Sequence, residues 1–384
     1  MKRLWIKLLA GSSALVLLAL VMVAAMLSHN GPCVAPPPGP DGERMSAVLQ
    51  RCYGDARVLT LEQVAKPVIA PDEVLIRVHA ASVNPLDKHY LHGTPYLLRL
   101  SNGWNLPEDP RTGVDVAGVI EAVGAEVTRF AVGDEVFGSV NGAFAEYAVK
   151  RADRGLVRKP ANLSFEQAAA LPVAAITALQ ALRDKAQLQA GQRVLINGAS
   201  GGVGSFAVQI AKAMGAQVTA VCSTRNVEMV RTLGADEVID YTETDFTQGE
   251  ARFDAVIDMV GNHSLSRMLQ VVKPDGSLVL VGSVEMNPWW GPLARPGRAW
   301  LLSFFVSQRL EPMLAGVNND DLEVLSRYAQ AGQLRPVIDA RFSLAEVPAA
   351  IAHVESGRTS GKVVINVVPR GNRARVDRAK ALAD

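Results

Sequence analysis

A glycine-rich turn, Leu195-Ile196-Asn197-Gly198-Ala199-Ser200-Gly201-Gly202-Val203-Gly204, separates a β-type run from a helical pattern. Backbone amides in such a turn, together with the N-terminus of the following helix, can hold a pyrophosphate group. In the Gly-x-Gly-x-x-Gly register, Ala199 replaces the first glycine, whereas Gly201 and Gly204 match. A tight strand-to-helix turn without a ligand is the alternative. Because further strands follow at suitable intervals, we predict a dinucleotide-binding site.

Strand and helix patterns alternate on the C-terminal side of this turn. This alternation is typical of a doubly wound parallel sheet covered by helices, and it predicts an α/β domain over residues 171–312. The predicted strands cover residues 193–197, 217–222, 237–239, 255–257 and 277–281.

Residues 46–170 have a different pattern. Short apolar runs are separated by Gly, Pro, Asp and Asn, which predicts a β-rich domain. Ser164 and Gln167 form a capping-box pattern that opens an Ala-rich helix interrupted at Pro172. A strand, helix and strand pattern occupies residues 336–367, and the charged tail 369–384 is expected to fray.

The N-terminus predicts a membrane anchor over residues 1–28. Residues 8–27 carry no charge and are long enough, as a helix, to cross a bilayer, whereas a cleaved signal peptide usually has a shorter apolar core. A Pro-rich linker, residues 29–45, follows. The basic residues Lys2, Arg3 and Lys7 precede the helix and predict that the folded part lies outside the cytoplasm.

Composition limits the classes of function. The 384 residues include 39 Lys+Arg and 38 Asp+Glu, so there is no basic surplus for nucleic acid, and the length suits two or three domains. Cys33, Cys52 and Cys222 are scattered without a Cys-x-x-Cys spacing. We therefore expect neither a disulfide framework nor a structural zinc site.

The end of the second strand indicates which dinucleotide binds. An NAD site usually has an acidic residue there, but Ser223-Thr224-Arg225-Asn226 contains none. Hydroxyls and the Arg225 guanidinium suit a 2′-phosphate, so NADPH is favoured over NADH. A solvated Arg225 is the alternative.

The motif residues around the turn resemble the zinc-independent quinone oxidoreductases (zeta-crystallin-like) of the medium-chain dehydrogenase/reductase family. The similarity extends over residues 48–367 and is greatest to the branch of the reticulon-interacting mitochondrial oxidoreductase. It implies a GroES-like catalytic domain (46–170), a Rossmann domain (171–312) and a return to the catalytic domain (313–368). The residues that carry it are Gly191-Gln192, Leu195, Ala199-Ser200-Gly201-Gly202, Gly204, Gln209 and Lys212.

The resemblance also bears on zinc. Zinc-dependent relatives have a histidine ligand where this chain has Val114, and a cysteine ligand where it has Asn84. Valine cannot bind zinc and a neutral amide is a poor ligand, so we expect no catalytic zinc.

Further site residues are assigned by the same resemblance, in addition to those of the glycine-rich turn and of Ser223-Thr224-Arg225. Asn84 and Asp87 match positions at the nicotinamide end of the cleft, and His89 replaces a tyrosine found near the substrate in some relatives. As alternatives, Asn84 shapes a turn before Pro85, Asp87 caps a helix and His89 lies on the surface. The positions assigned to the cofactor are Thr177, Ala199, Ser200, Gly201, Gly202, Val203, Gly204, Ser223, Thr224, Arg225, Tyr241, Gly282 and Lys362. A packed aromatic ring and a solvated strand lysine are the alternatives for Tyr241 and Lys362.

These observations predict hydride transfer from NADPH to quinones or α,β-unsaturated carbonyls, which spread the arriving charge without zinc. The alternatives are an alcohol dehydrogenase or aldehyde reductase, and a non-catalytic NADPH-binding membrane protein. Because nicotinamide dinucleotides are kept inside cells, the cofactor favours the cytoplasmic side of the membrane, against the charge rule.

Residues 289–306 form the most apolar part of the predicted soluble region. The segment is too short to span a membrane. A subunit interface, as in a homodimer, or a pocket wall is one interpretation, and contact with the bilayer is the other.

Overall fold

The computed structural model describes residues 19, 21–35, 42–250, 252–284 and 287–368. The predicted anchor lies largely outside these ranges, and the charged tail lies wholly outside them. Residues 21–28 are helical. Within the described ranges, no helix combines the length and the apolar character needed to cross a membrane. The anchor over residues 1–28 therefore stays a prediction.

Strands and helices of the described chain form two sheets, a separate hairpin and their covering helices. The strands are β1 (Arg44–Gln50), β2 (Leu59–Ala65), β3 (Glu73–Val83), β4 (Asp115–Val123), β5 (Glu135–Ser139), β6 (Tyr147–Arg151), β7 (Leu156–Arg158), β8 (Arg193–Asn197), β9 (Gln217–Cys222), β10 (Glu237–Asp240), β11 (Phe253–Asp258), β12 (Val272–Leu280), β13 (Arg309–Pro312), β14 (Ile338–Ser343) and β15 (Lys362–Asn366). The helices are α1 (Pro85–His92), α2 (Arg99–Asn102), α3 (Phe165–Ala169), α4 (Pro172–Gln180), α5 (Gly202–Ala213), α6 (Val227–Thr232), α7 (Leu265–Leu269), α8 (Ala294–Leu302), α9 (Asn319–Gln330) and α10 (Val347–Glu355).

The first sheet contains strands from the N-terminal half of the chain and two strands from near its C-terminus. Its order is β14-β15-β3-β4-β5-β7, with β6 also paired to β3. Strand β15 pairs antiparallel with β3, with Val363 opposite Val83, so residues near the C-terminus complete a sheet begun by residues 73–83. The hairpin of β1 and β2 is separate from this sheet. This return of the chain is the one that the family resemblance implies.

The second sheet has the order β10-β9-β8-β11-β12-β13. All of its strand pairs are parallel. The order reverses beside β8, and ligands of such sheets bind at the carboxyl ends of the strands next to this reversal. The predicted α/β fold with a doubly wound parallel sheet is confirmed.

Strand β8 and helix α5 surround the glycine-rich turn because their apolar residues are buried. Val194, Leu195 and Ile196 in β8 are inaccessible to solvent. Gly204 is required by close packing, since a Cβ atom there would lie 2.1 Å from the carbonyl oxygen of Gly198. The missing side chain lets helix α5 start directly against the strand end.

Helix α3 begins as predicted. The Ser164 hydroxyl accepts the Gln167 N–H, and the Gln167 side chain accepts the Ser164 N–H. Pro172 occupies the first position of α4, where its missing N–H costs nothing, so the predicted interruption is the boundary between two helices.

The segment 27–35 is attached to the β-rich domain, which the sequence did not predict. Cys33 and Cys52 form a disulfide across a separation of 19 residues, and Cys222 is a buried free thiol. Arg99 is buried and donates hydrogen bonds to the carbonyls of Leu27 and His29. The first part of the predicted linker is therefore packed against the domain, and the expectation that the cysteines form no disulfide framework is corrected to one bridge.

Candidate active site

Asn84 lies at the junction between β3 and α1. Pro85 fills the first helical position and Asn84 has extended backbone angles, so the chain turns sharply there. The Asn84 N–H donates to Asp87 Oδ2 at 2.7 Å. Both side chains are buried. Asp87 therefore caps α1, as its alternative interpretation predicted, and also lies beside Asn84.

Asp115 connects three elements around Asn84. Its Oδ2 accepts the Ser82 hydroxyl at 2.9 Å and Asn84 Nδ2 at 2.8 Å. Its Oδ1 accepts the backbone N–H of Val173, near the start of α4, at 3.1 Å. Asp115 has no solvent exposure, and this network attaches the first turn of α4 to the first sheet, which we call the catalytic sheet.

Lys362 completes the network from the other end of the chain. Its Nζ donates to Asn84 Oδ1 at 2.5 Å and to the Val83 carbonyl at 3.2 Å, and lies 3.5 Å from Asp115 Oδ2. The residue is 3% exposed, so the alternative of a solvated strand lysine is wrong. With the ammonium at Oδ1 and the carboxylate at Nδ2, the orientation of the Asn84 amide is set by charge.

Burial shifts the protonation of the groups in this network. Desolvation raises the pKa of Asp87 from 3.8 to about 7, although the Asn84 N–H opposes the shift. Desolvation lowers the pKa of Lys362, while Asp115 and Asp87 oppose that change. Asp87 therefore exchanges a proton near neutral pH, as a general acid requires.

Asp87 also lines a cavity of about 430 Å³ in the catalytic domain. Tyr53, Tyr90 and Val114 contribute to its wall, as do Ser101 and Asn102 of α2. This volume suits a small organic molecule.

His89 has a different environment. Its Nδ1 lies 2.9 Å from the Thr94 carbonyl, so the ring bonds to the chain that follows α1. Burial lowers the pKa of His89, which favours the neutral ring. The structure thus brings Asn84 and Asp87 together and places His89 in a separate contact. Its predicted catalytic role stays a prediction.

The glycine-rich turn reaches the same network through the C-terminal strand. Gly361 N–H donates to the Ser200 carbonyl at 2.9 Å, and Lys362 follows directly. Asn226 bridges the two domains, since it donates to Ser200 Oγ and accepts the Ser360 hydroxyl. A side chain at Gly202 would come within 3.2 Å of Lys362 Cδ. The turn and Asn84 are therefore linked through Lys362.

One side of the glycine turn is open. A Cβ atom at Gly201 would have only the Gly198 carbonyl oxygen near it, at 3.4 Å, so this side of the turn is open. The N-terminus of α5 begins at the next residue. Ala199 is buried under the turn, whereas Tyr241 is exposed beside the end of β9. Open space at a helix N-terminus fits a pyrophosphate.

The residues predicted to bind the adenosine end have mixed charge. Arg225 Nη2 donates to the Arg358 carbonyl at 2.6 Å, and Thr224 Oγ1 lies 2.9 Å from Thr242 Oγ1. Asp240, on the neighbouring strand β10, is bonded to both threonines, and the Thr224 contact contributes most to lowering its pKa. The sequence places no acid at the end of β9, but the tertiary fold brings one beside it.

Thr177 and Gly282 are the two remaining residues predicted to bind the cofactor. Thr177 Oγ1 donates to the Val173 carbonyl, and Val173 N–H in turn bonds Asp115. Gly282 follows β12 and donates to the Asp258 carbonyl, and a Cβ atom there would lie within 1.9 Å of the Met259 carbonyl oxygen. Both predicted residues are therefore near the carboxyl ends of the central strands or the Asp115 network.

Among the described residues, no group of three or more His, Cys, Asp or Glu side chains is placed to hold a metal ion. Val114 stands at the position of a histidine ligand and lines the cavity. Ser82 and Asp115 are members of the network that the sequence did not assign to the site. Asp115 could have been suspected from Gly113-Val114-Asp115, but Ser82 carries no motif.

This combination of a parallel nucleotide-binding sheet and a buried polar cleft defines an NAD(P)H-dependent oxidoreductase. Residues 70–161 match the family model of the alcohol dehydrogenase GroES-like domain, and residues 233–365 match that of a zinc-binding dehydrogenase. The chain belongs to the medium-chain dehydrogenase/reductase family.

The similarity to known proteins extends over nearly the whole folded part of this chain. The 2-methylene-furan-3-one reductase of Solanum lycopersicum is 36% identical over 83% of this chain and 78% of its own length. The mitochondrial NAD(P)H oxidoreductase RTN4IP1 of Mus musculus is 36% identical over 82% of this chain and 87% of its own. The quinone oxidoreductase of Coxiella burnetii has a similar structure, with a TM-score of 0.75, 32% identity, and coverage of 85% of this chain and 100% of that one.

Proposed function

We propose that this protein uses NADPH to reduce quinones or α,β-unsaturated carbonyl compounds. The observation that carries the proposal is the buried network of Asn84, Asp87, Asp115 and Lys362 beside an open dinucleotide turn. Relatives named quinone oxidoreductase, such as that of Sus scrofa, support the substrate class. A chloroplastic relative from Arabidopsis thaliana is named an NADPH-dependent alkenal/one oxidoreductase, which supports the same class of substrate.

The nicotinamide supplies the hydride, and the protein supplies alignment and proton transfer. The residues that would hold the cofactor are those of the glycine turn, with Thr177, Gly282 and Lys362 toward the nicotinamide. Ser223, Thr224, Arg225 and Tyr241 would hold the adenosine end. Arg225 supports NADPH, whereas Asp240 would oppose a 2′-phosphate, so the preference depends on their balance.

Asn84 is proposed to stabilise the oxygen of the reduced acceptor. One N–H of its Nδ2 is held by Asp115, and the other has only a long contact, 3.5 Å, to the Ser82 carbonyl. This second N–H can donate to an oxygen on which negative charge develops. Lys362 and Asp115 would act as positioning residues, since they determine which way the amide faces.

Asp87 is proposed to return the proton to that oxygen. It lines the cavity, and its pKa of about 7 keeps a fraction protonated at neutral pH. We propose that no zinc takes part, because Val114 and Asn84 replace the ligand types and Asn84 is already bonded to Lys362.

The decisive experiment is NADPH oxidation by the detergent-solubilised full chain with a simple quinone, an enone and an aldehyde in parallel. We expect turnover with quinone or enone and little with aldehyde. Preferential reduction of the aldehyde would instead support the alcohol dehydrogenase interpretation. Tight NADPH binding without turnover would support the non-catalytic interpretation.

The role of Asn84 has its own test. Asn84→Ala should lower kcat about a hundredfold, the order found when one oxyanion donor is removed. Asn141→Ala is the control, because Asn141 lines the cavity that Asp87 also lines and bonds Asp109 at the surface. Equal turnover in both variants would reject the role of Asn84.

We also propose that residues 1–28 anchor the protein in a membrane. Cys33–Cys52 bears on the orientation, because disulfides persist in oxidising compartments. It supports the side predicted by Lys2, Arg3 and Lys7, in which the folded part is outside the cytoplasm. The cytoplasmic side favoured by the cofactor is the opposite orientation.

A further inference from the structure

An aromatic and apolar surface lies beside the proposed substrate cavity. We define it as the aromatic face, made of residues 21–26, 97–104 and 290–305. Every exposed tryptophan and phenylalanine in the described part of the chain belongs to it. Its exposed large apolar residues are Val21, Met22, Val23, Met26, Leu97, Leu100, Trp104, Trp290, Leu293, Trp300, Leu301, Phe304 and Phe305.

Two sets of contacts join the three segments. Arg99 connects the first two, since its guanidinium donates to the carbonyls of Leu27 and His29 and to Asn30 Oδ1. Tyr96, directly before the second segment, holds it against the third, since its N–H donates to the Pro288 carbonyl and its ring packs edge-on, at 4.9 Å, against Trp289, directly before the third segment. The segments therefore adjoin one another although they come from distant parts of the sequence.

The aromatic face carries almost no charge. The three segments contain no aspartate or glutamate, and their basic residues are Arg99, Arg295 and Arg298. Arg99 and Arg295 are buried, and Arg295 Nη2 is paired with Asp258. Arg298 alone is an exposed charge. An exposed apolar surface that is rich in tryptophan and free of carboxylates is typical of a membrane or protein contact.

We propose that the aromatic face rests on a lipid bilayer. The uncharged sequence that leads into the aromatic face favours a bilayer over a second copy of the chain. The uncharged sequence 8–27 ends where Arg99 binds the carbonyl of Leu27, and residues 21–26 already belong to the face. Arg99 and Cys33–Cys52 hold this end of the chain against the domain. An apolar segment in the bilayer would therefore bring the aromatic face to the same membrane surface.

The position of the cavity suggests a consequence, which rests on the proposed function. Ser101 and Asn102 of α2 line the cavity, and Leu100 and Trp104 of the same segment are exposed on the aromatic face. A lipid-soluble quinone or enone could then reach Asp87 from the membrane side of α2. The substrate class would be acceptors with an apolar tail.

Site-directed spin labelling of the full chain in vesicles tests the docking. A nitroxide at Phe305→Cys, 84% exposed, is compared with one at Leu314→Cys, 95% exposed and outside the face. The native cysteines leave the background low, because two form the disulfide and Cys222 is buried. The vesicles contain equal parts of phosphatidylethanolamine and phosphatidylglycerol. Accessibility to oxygen and to a water-soluble nickel chelate is measured for each label.

We expect the label at position 305 to be more accessible to oxygen than to nickel, and the label at 314 to show the reverse. Equal nickel accessibility at the two positions would overturn the proposal. Shielding of position 305 from both reagents, with spin–spin broadening between labels, would also overturn it and assign the face to a second copy.

A kinetic measurement tests the consequence for the substrate. The double substitution Trp300→Ser with Phe304→Ser should raise KM for a long-tailed quinone in vesicles roughly tenfold, because apolar contact with the bilayer is lost. KM for a short, water-soluble quinone should not change, and Leu314→Ser is the control. An unchanged KM for the long-tailed quinone would reject entry from the membrane. Absence of turnover with every quinone would reject the proposed function, while the spin-label result would still stand.

Discussion

Lys362 Nζ and Asn84 Oδ1 are 2.5 Å apart, although 278 residues separate them in the chain. The contact exists because β15 pairs with β3, which places the start of one strand at the end of the other. One hydrogen bond thus connects the last strand of the catalytic sheet to the residue proposed to bind the acceptor oxygen. The residue preceding Lys362, Gly361, donates its N–H to the Ser200 carbonyl, so this part of the chain also contacts the glycine turn.

Removing Lys362 tests this arrangement. Lys362→Met should lower the free energy of unfolding by about 3–5 kcal/mol, because Asp115 would be left buried without its cation. Chemical denaturation measures the change, with Lys185→Met, a partly exposed lysine, as control. The double variant Lys362→Met with Asp115→Asn should regain about 1–3 kcal/mol of the free energy of unfolding that Lys362→Met loses. Additive losses in the double variant would contradict a coupled pair.

Asp87 should make stability depend on pH. Its folded pKa of about 7 is above the ordinary 3.8, so the folded state binds a proton that the unfolded state releases between these values. Protonated Asp87 therefore contributes roughly 4 kcal/mol to the free energy of unfolding. This contribution is fully present below about pH 4 and is lost as the pH rises through 7. Asp87→Asn should therefore gain stability relative to the natural protein between pH 5 and 8. A difference that is constant with pH, measured by denaturation, would contradict the shift.

Arg225 and Asp240 should set the cofactor preference in opposite directions. Arg225→Ala should raise KM for NADPH roughly tenfold with little change for NADH, because a cation near the 2′-phosphate is lost. Asp240→Asn should lower KM for NADPH, because a carboxylate bonded to Thr224 is neutralised. Arg57→Ala, an exposed arginine in the other domain, is the control. Identical changes for the two cofactors would exclude a role at the 2′ position.

Arg99 should be a main determinant of the attachment of residues 27–30. Its guanidinium is buried between the rings of Tyr53 and Tyr96 and donates to several carbonyls, including those of Gly93 and Leu27. Arg99→Met leaves these acceptors without a donor and should cost about 3 kcal/mol or more. Limited proteolysis near residues 28–35 should accelerate as well. An unchanged cleavage rate would show that Cys33–Cys52 alone holds the segment.

The three cysteines should differ in reactivity. Cys33 and Cys52 should appear as one linked peptide in a non-reducing digest of protein from an oxidising compartment. Burial, and then Asp240, raises the pKa of Cys222 to about 11, so its thiol should react slowly with iodoacetamide at pH 8 until the protein is unfolded. Recovery of Cys33 and Cys52 as free thiols from the native membrane would indicate the cytoplasmic orientation.

Local sequence determined the nucleotide-binding half of the molecule. The predicted ranges 193–197 and 217–222 coincide with β8 and β9, and Ser164 caps α3 with Gln167 as expected. These features depend on hydrophobic period, glycine and capping side chains, all of which act between near neighbours in the chain. The glycine-rich turn between β8 and α5 is predictable for the same reason.

Tertiary structure decided which distant groups meet. Strand pairing brings together Asn84, Asp115 and Lys362. The fold of the β-rich domain brings together the two cysteines of the Cys33–Cys52 bridge and the groups that Arg99 contacts. Asp240 reaches Thr224 across two parallel strands. No local pattern encodes these pairs, because their energies arise from burial and charge after the sheets have formed. The raised pKa of Asp87 belongs to the same class, since it is caused by desolvation in the folded state.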